Sequence, residues 1–178
     1  MDTYIALFRG INVGGHNKLR MNDLRALLED LGCQSVRTYI QSGNVVMQCE
    51  EDDPQALAAR IGAEVEARHG FEPDVLLLEL EKMREAIADN PFPEAESEPR
   101  SLHLNFLASA PQDPDMEALE SARKESERFE LKGDVFYLHA PDGIGRSKLA
   151  RNAERWLGVP MTGRNWRTVS KIMALAQE

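Results

Sequence analysis

Val36-Arg37-Thr38-Tyr39-Ile40-Gln41-Ser42-Gly43-Asn44-Val45-Val46-Met47-Gln48-Cys49 decides the fold. Val36–Ile40 and Val45–Cys49 are short runs suited to a pleated, half-buried surface. Gln41–Asn44 between them is polar and contains glycine, which is turn chemistry. The stretch therefore predicts a hairpin. On its N-terminal side Leu24, Leu27, Leu28 and Leu31 recur at helical spacing, and Gly32 stops that helix. Before the helix, Tyr4–Phe8 is an apolar run that reads as a strand. On the C-terminal side Asp53-Pro54 supplies a cap and a first helical residue. Leu57, Ile61 and Val65 continue that helix to about His69, and Val75–Leu78 reads as a further strand. The resulting order, β-α-β-β-α-β, is that of a ferredoxin-like unit spanning residues 1–80.

The second half repeats part of this order. Lys82–Ala88 reads as a linking helix and Pro91–Pro99, rich in proline and glutamate, as a linker, so residues 81–100 form the connection. Leu102–Leu107 is a strand, and Asp113-Pro114 opens a helix. Phe129–Leu131 and Val135–His139 form a hairpin around Lys132-Gly133-Asp134. A helix through Leu149, Ala153, Trp156 and Leu157 follows, stopped by Gly158, and Asn165–Ala176 is a terminal helix. The expected fold class is α+β. It has two ferredoxin-like subdomains, the second (residues 101–178) an incomplete β-α-β-β-α with a C-terminal helix.

The chain has 178 residues and a formal net charge of −9, which argues against a generic nucleic-acid coat. The charge is unevenly placed. Residues 50–134 carry a balance of −14, whereas 1–49 carry +1 and 135–178 carry +4. Between Gly143 and Lys171 there are seven bases and one acid. Basic groups thus gather near both ends of the chain, where folding could unite them into one positive surface. No apolar run reaches the roughly 20 residues of a membrane helix. Met1–Ile5 lacks the start of a signal peptide, so a cytoplasmic protein without a membrane partner is expected. Two cysteines, Cys33 and Cys49, are too few for a disulfide scaffold or a four-thiolate zinc site, and read as free packing residues.

Four segments carry candidate chemistry. The loop Arg9–Lys18 is rich in glycine and asparagine, and offers Arg9, Asn12, His16, Asn17 and Lys18 as donors to an anion. Its glycine spacing is neither a dinucleotide fingerprint nor a P-loop. Gln41, Ser42 and Asn44 form a turn, which gains interest from its neighbour: antiparallel pairing of the first and third strands would bring it beside Arg9-Gly10. Gly143–Lys148 contributes Arg146 and Lys148 at a helix start, with Ser147 as an alternative simple cap. Thr162–Lys171 contributes Arg164, Asn165 and Arg167, with Trp166 as a stacking face or a core anchor. The four histidines show no metal-ligand spacing, so no metal and no cofactor are expected.

Arg9-Gly10-Ile11-Asn12-Val13-Gly14-Gly15, Tyr39-Ile40-Gln41-Ser42-Gly43-Asn44-Val45-Val46 and Thr162-Gly163-Arg164-Asn165-Trp166-Arg167-Thr168-Val169 resemble the hallmark segments of a bacterial family, domain of unknown function 1697. The resemblance covers nearly the whole chain. It implies a two-part α+β protein of ferredoxin-like type, and no established activity, cofactor or catalytic residue.

The leading expectation is therefore a protein that binds a phosphorylated ligand, a nucleotide or a nucleic-acid backbone, through these basic segments. One alternative is an enzyme acting on a phosphorylated small molecule, with His16 as general acid or base. Another is a protein–protein adaptor using the acidic segment 50–134.

Overall fold

The computed structural model describes residues 1–178, which divide into two compact units. The first comprises Met1–Glu85 with Lys171–Glu178, and the second Ala86–Ser170.

The first unit contains β1 (Asp2–Arg9), α1 (Met21–Asp30), β2 (Gln34–Tyr39), β3 (Asn44–Cys49), α2 (Pro54–His69) and β4 (Asp74–Glu79). Its sheet has the order β2-β3-β1-β4, antiparallel throughout. This is the ferredoxin-like arrangement the element order implied. β1 is central, and Tyr4–Phe8 are buried without a break. Tyr4, Ala6 and Phe8 join Leu24, Leu27, Leu28, Leu57, Ile61 and Val65 of the two helices in one core. Local signals set the helix ends. The Asp53 side chain accepts from the backbone N–H groups of Gln55 and Ala56, and Pro54 follows it in the first helical position. Gly70 ends α2 in the left-handed conformation, φ +82°.

Cys33 and Cys49 are joined by a disulfide, their Cα atoms 4.7 Å apart. This corrects the expectation of free cysteines. Cys33 lies just before β2 and Cys49 ends β3, so hairpin pairing brings them together.

The second unit contains β5 (Leu102–Leu107), α4 (Met116–Ala122), β6 (Arg128–Lys132), β7 (Val135–His139), α5 (Lys148–Leu157) and β8 (Met161–Asn165). Two further helices, α3 (Leu80–Ala88) and α6 (Trp166–Ala176), contain the boundaries between the units. The second sheet has the order β6-β7-β5-β8, the same topology as the first. It is complete, not truncated. The missing strand was β8, whose Met-Thr-Gly-Arg-Asn lacks an apolar alternation but pairs with β5 over five positions. Leu107, Phe136 and Leu138 pack with Leu149, Ala153 and Leu157 of α5 and Leu119 of α4.

Residues 91–99 are not a free linker. Pro93–Ser97 forms a 3-10 turn that buries Phe92 and Ala95. Glu94 pairs with Arg128, whose guanidinium lies 4.6 Å from the centre of the Phe92 ring. A buried phenylalanine within the proline-rich segment supplies the apolar area that a linker lacks. The expected division at 1–80, 81–100 and 101–178 accordingly gives way to a boundary after Glu85, with 171–178 grouped with the first unit. Within that unit Arg37 Nη1 donates to the carbonyl of Leu175 at 2.9 Å.

Candidate functional sites in each unit

In the first unit, the β1–β3 register places Leu7 opposite Asn44. The loop leaving β1 and the loop entering β3 therefore lie side by side. The Phe8 N–H donates to the Gly43 carbonyl at 2.9 Å. Asn12 Nδ2 donates to the carbonyls of Gln41 (2.8 Å) and Leu19 (2.9 Å), and Asn12 Oδ1 accepts from the Leu19 N–H. Asn17 Nδ2 donates to the Gly10 carbonyl at 3.0 Å. Between them the chain makes a tight reversal, Val13-Gly14-Gly15-His16, with positive φ at both glycines. That is the type I′ pattern, whose two positive φ angles favour glycine.

These bonds sort the candidates. Asn12 and Asn17 hold the loop in shape. Asn44 is fully buried and donates to the Tyr39 carbonyl and Ser42 Oγ, so it holds the turn. Arg9, His16, Lys18, Gln41 and Ser42 remain exposed at this end of the sheet. His16 closes the reversal by pairing with Val13, and its side chain faces solvent. Ile40 carries φ +48°, a conformation a β-branched residue adopts only under strain.

In the second unit, Ser147 is fully buried and its Oγ accepts from the Ala150 N–H at 3.0 Å, capping α5. Arg146 and Lys148 flank this cap and are exposed. Asn165 Oδ1 accepts from the Thr168 N–H at 3.0 Å and caps α6 in the same way. Arg164 is partly buried on β8, and its Nη1 donates to the Gly163 carbonyl. Burial pushes its pKa down to about 10. Trp166 is buried, so it anchors α6 and offers no stacking face.

Arg167, exposed in the first turn of α6, lines a groove of about 610 Å³. The other walls are Glu98, Pro99, Arg100, Ser101, Ala140, Pro141 and Gly143. Neither Arg100 nor Arg167 has an ion-pair partner. Two backbone turns fix the floor: the Ser101 N–H donates to the Glu98 carbonyl, and the Gly143 N–H to the Ala140 carbonyl. The Ala140 N–H donates to the Ser101 carbonyl and ties the turns together. Sequence reasoning missed Arg100 because it closes the segment taken as linker. Its only signal was a base following three prolines and three acids.

A family model described as "Protein of unknown function (DUF1697)" matches residues 1–137. The chain belongs to the DUF1697 family. A solved structure described as that of the conserved bacterial protein SP0830 from Streptococcus pneumoniae is similar along the entire chain. The two share 26% identity with a TM-score of 0.71, over 100% of this chain and 99% of that one. No curated protein matches. The DUF1697 match holds the loop candidates of the first unit together with Arg100, and ends within β7. Gly143 and Arg167 lie beyond it, in the part shared with SP0830. The structure has no group of acidic, histidine and cysteine side chains placed to hold a metal ion. No helix is long and apolar enough to cross a membrane.

Proposed function

We propose that this DUF1697 protein binds a phosphorylated small molecule in the groove between Arg100 and Arg167. The observation that carries the reading is two guanidinium groups without carboxylate partners lining one groove of about 610 Å³. That volume lies within the roughly 300–1,000 Å³ of small-molecule sites. Arginine matches phosphate geometry bidentately, and Arg167 sits in the first turn of a helix, where anions are favoured. Glu98 lines the same groove and opposes a dense negative charge. It favours ligands that place a single phosphate near the arginines and a neutral, hydrogen-bonding portion near Glu98. A mononucleotide has that distribution. The net charge of −9 works against an extended nucleic-acid backbone.

The test is calorimetric titration with inorganic phosphate, pyrophosphate, nucleoside monophosphates and a short oligonucleotide. Saturable binding of a monophosphate, weakened about tenfold or more in Arg100→Ala and in Arg167→Ala, supports the reading. An unaltered affinity in the double variant overturns the site. Binding of the oligonucleotide alone, falling steeply with salt, overturns the ligand class.

A further inference from the structure

β5 reads Leu102-His103-Leu104-Asn105-Phe106-Leu107, an apolar strand with two polar residues on one face. That face looks towards α5 and the core of the second unit. Polar groups there are costly unless something bonds them. Asn105 is buried and is half accounted for: its Nδ2 donates to the Phe136 carbonyl at 3.0 Å. His103 Nε2 is buried and has no partner.

Beside them is a cavity of about 110 Å³. His103 and Asn105 are its polar lining, joined by Gly163 of β8. Phe136, Leu138, Ala153 and Met161 are among its apolar walls, and no charged side chain lines it. Gly163 packs directly against the Asn105 amide. A Cβ at that position would collide with Asn105 Oδ1, so the absent side chain leaves room for the amide. Ile144 closes one side from the loop between Gly143 and Gly145, and is itself 45% exposed. The same loop gives Gly143 to the arginine groove, but the two sites share no lining residue.

We propose that this cavity is a second binding site, for a small, uncharged, planar molecule that donates an N–H or O–H to His103 Nε2. Size and chemistry both follow from the walls. A dry cavity of about 150 Å³ holds benzene, so one of about 110 Å³ takes a ring of roughly five non-hydrogen atoms. An unpaired imidazole nitrogen accepts from a donor, and Asn105 is the other polar side chain lining the same cavity. The remaining walls accept the ring's apolar body. Burial favours the neutral form of His103, in keeping with an acceptor role.

Pyrazole is the probe, since it is neutral, has five ring atoms and carries one N–H. Isoxazole has the same size and lacks the donor. The full-length protein, labelled with ¹⁵N at histidine and at backbone amides, is titrated with each. At about 10 mM, a site with a Kd of about 1 mM is roughly nine-tenths filled. Pyrazole should move the His103 Nε2 resonance and the Asn105 and Gly163 amides saturably. Isoxazole should bind about tenfold more weakly or worse, and so should pyrazole to His103→Ala. Ala150→Met projects into the cavity and should abolish binding while the amide spectrum reports whether the unit is folded. No saturable shift at His103, which would mean a cavity holding only water, overturns the proposal. Equal affinity for pyrazole and isoxazole, or undiminished pyrazole binding by His103→Ala, overturns the donor recognition on which it rests.

Discussion

Gly43→Ala tests whether the loop-on-strand packing of the first unit is as tight as its geometry requires. Gly43 has φ +86° and its carbonyl accepts from the Phe8 N–H. A Cβ built there would stand 2.6 Å from Phe8 Cβ and 2.7 Å from Ile11 Cδ1. Two penalties therefore combine. The left-handed conformation costs an alanine about 1–2 kcal/mol. Forcing an extra carbon against a fully packed strand costs about 1–3 kcal/mol more. The expected loss is about 2–5 kcal/mol. Gly10→Ala separates the two, because Gly10 has φ +78° but nothing within 4 Å of its would-be Cβ. It should lose only the conformational part, about 1–2 kcal/mol. Both tryptophans lie in the second unit, so fluorescence would miss the event. Amide hydrogen exchange in β1 and β3 reads it directly. Gly43→Ala should speed exchange of the most protected amides far more than Gly10→Ala does. Equal effects of the two variants would refute the claim that Gly43 is held by steric contact.

Other consequences concern strain, the disulfide and pH. Ile40→Asn should stabilise the first unit by about 1 kcal/mol, because asparagine tolerates the φ of +48° that strains isoleucine; a loss in urea denaturation would contradict this. Reduction of Cys33–Cys49, 16 residues apart, should lower that unit's stability by about 3 kcal/mol, and an unchanged denaturation midpoint after thiol counting confirms full reduction would refute it. Burial lowers the His103 pKa below its usual 6.5, with a hydrogen bond to the Arg100 backbone pulling the other way. The unfolded chain then binds the extra proton first as pH falls. His103 thus favours folding above pH 6.5, and that contribution is lost as pH drops through 6.5 towards the lower folded value. Wild type should lose more stability than His103→Gln on acidification from about pH 7 to pH 5. Parallel pH profiles would refute the burial argument.

The order of elements was legible because each rests on a local signal. The Asp53-Pro54 start and Gly70 stop of α2, the hairpin around residues 40–43 and the leucine face of α1 need only near neighbours in sequence. The first sheet's topology followed from that order, and so did the adjacency of the Gly10 and Gly43 loops. β8 was illegible because Met161–Asn165 carries no alternation of its own. It is a strand because β5 offers a free edge, and Gly163 is there because Asn105 occupies its side-chain space.

The candidate sites divide in the same way. Sequence pointed to segments rich in bases, glycine and asparagine, and Arg167 does line a groove. It could not tell a ligand's donor from a loop's own latch. Asn12, Asn17 and Asn44 bond backbone carbonyls, and Asn165 and Ser147 cap helices, because those polar backbone groups need partners once folding removes water. Arg100, and the pairing of His103 with Asn105 beside a cavity, depend on long-range placement that no local pattern encodes. Sequence alone determined those helices, strands and turns whose signals lie within a few residues of one another. Tertiary structure decided which polar side chains were left over once the backbone was satisfied, and those are the ones available to a ligand.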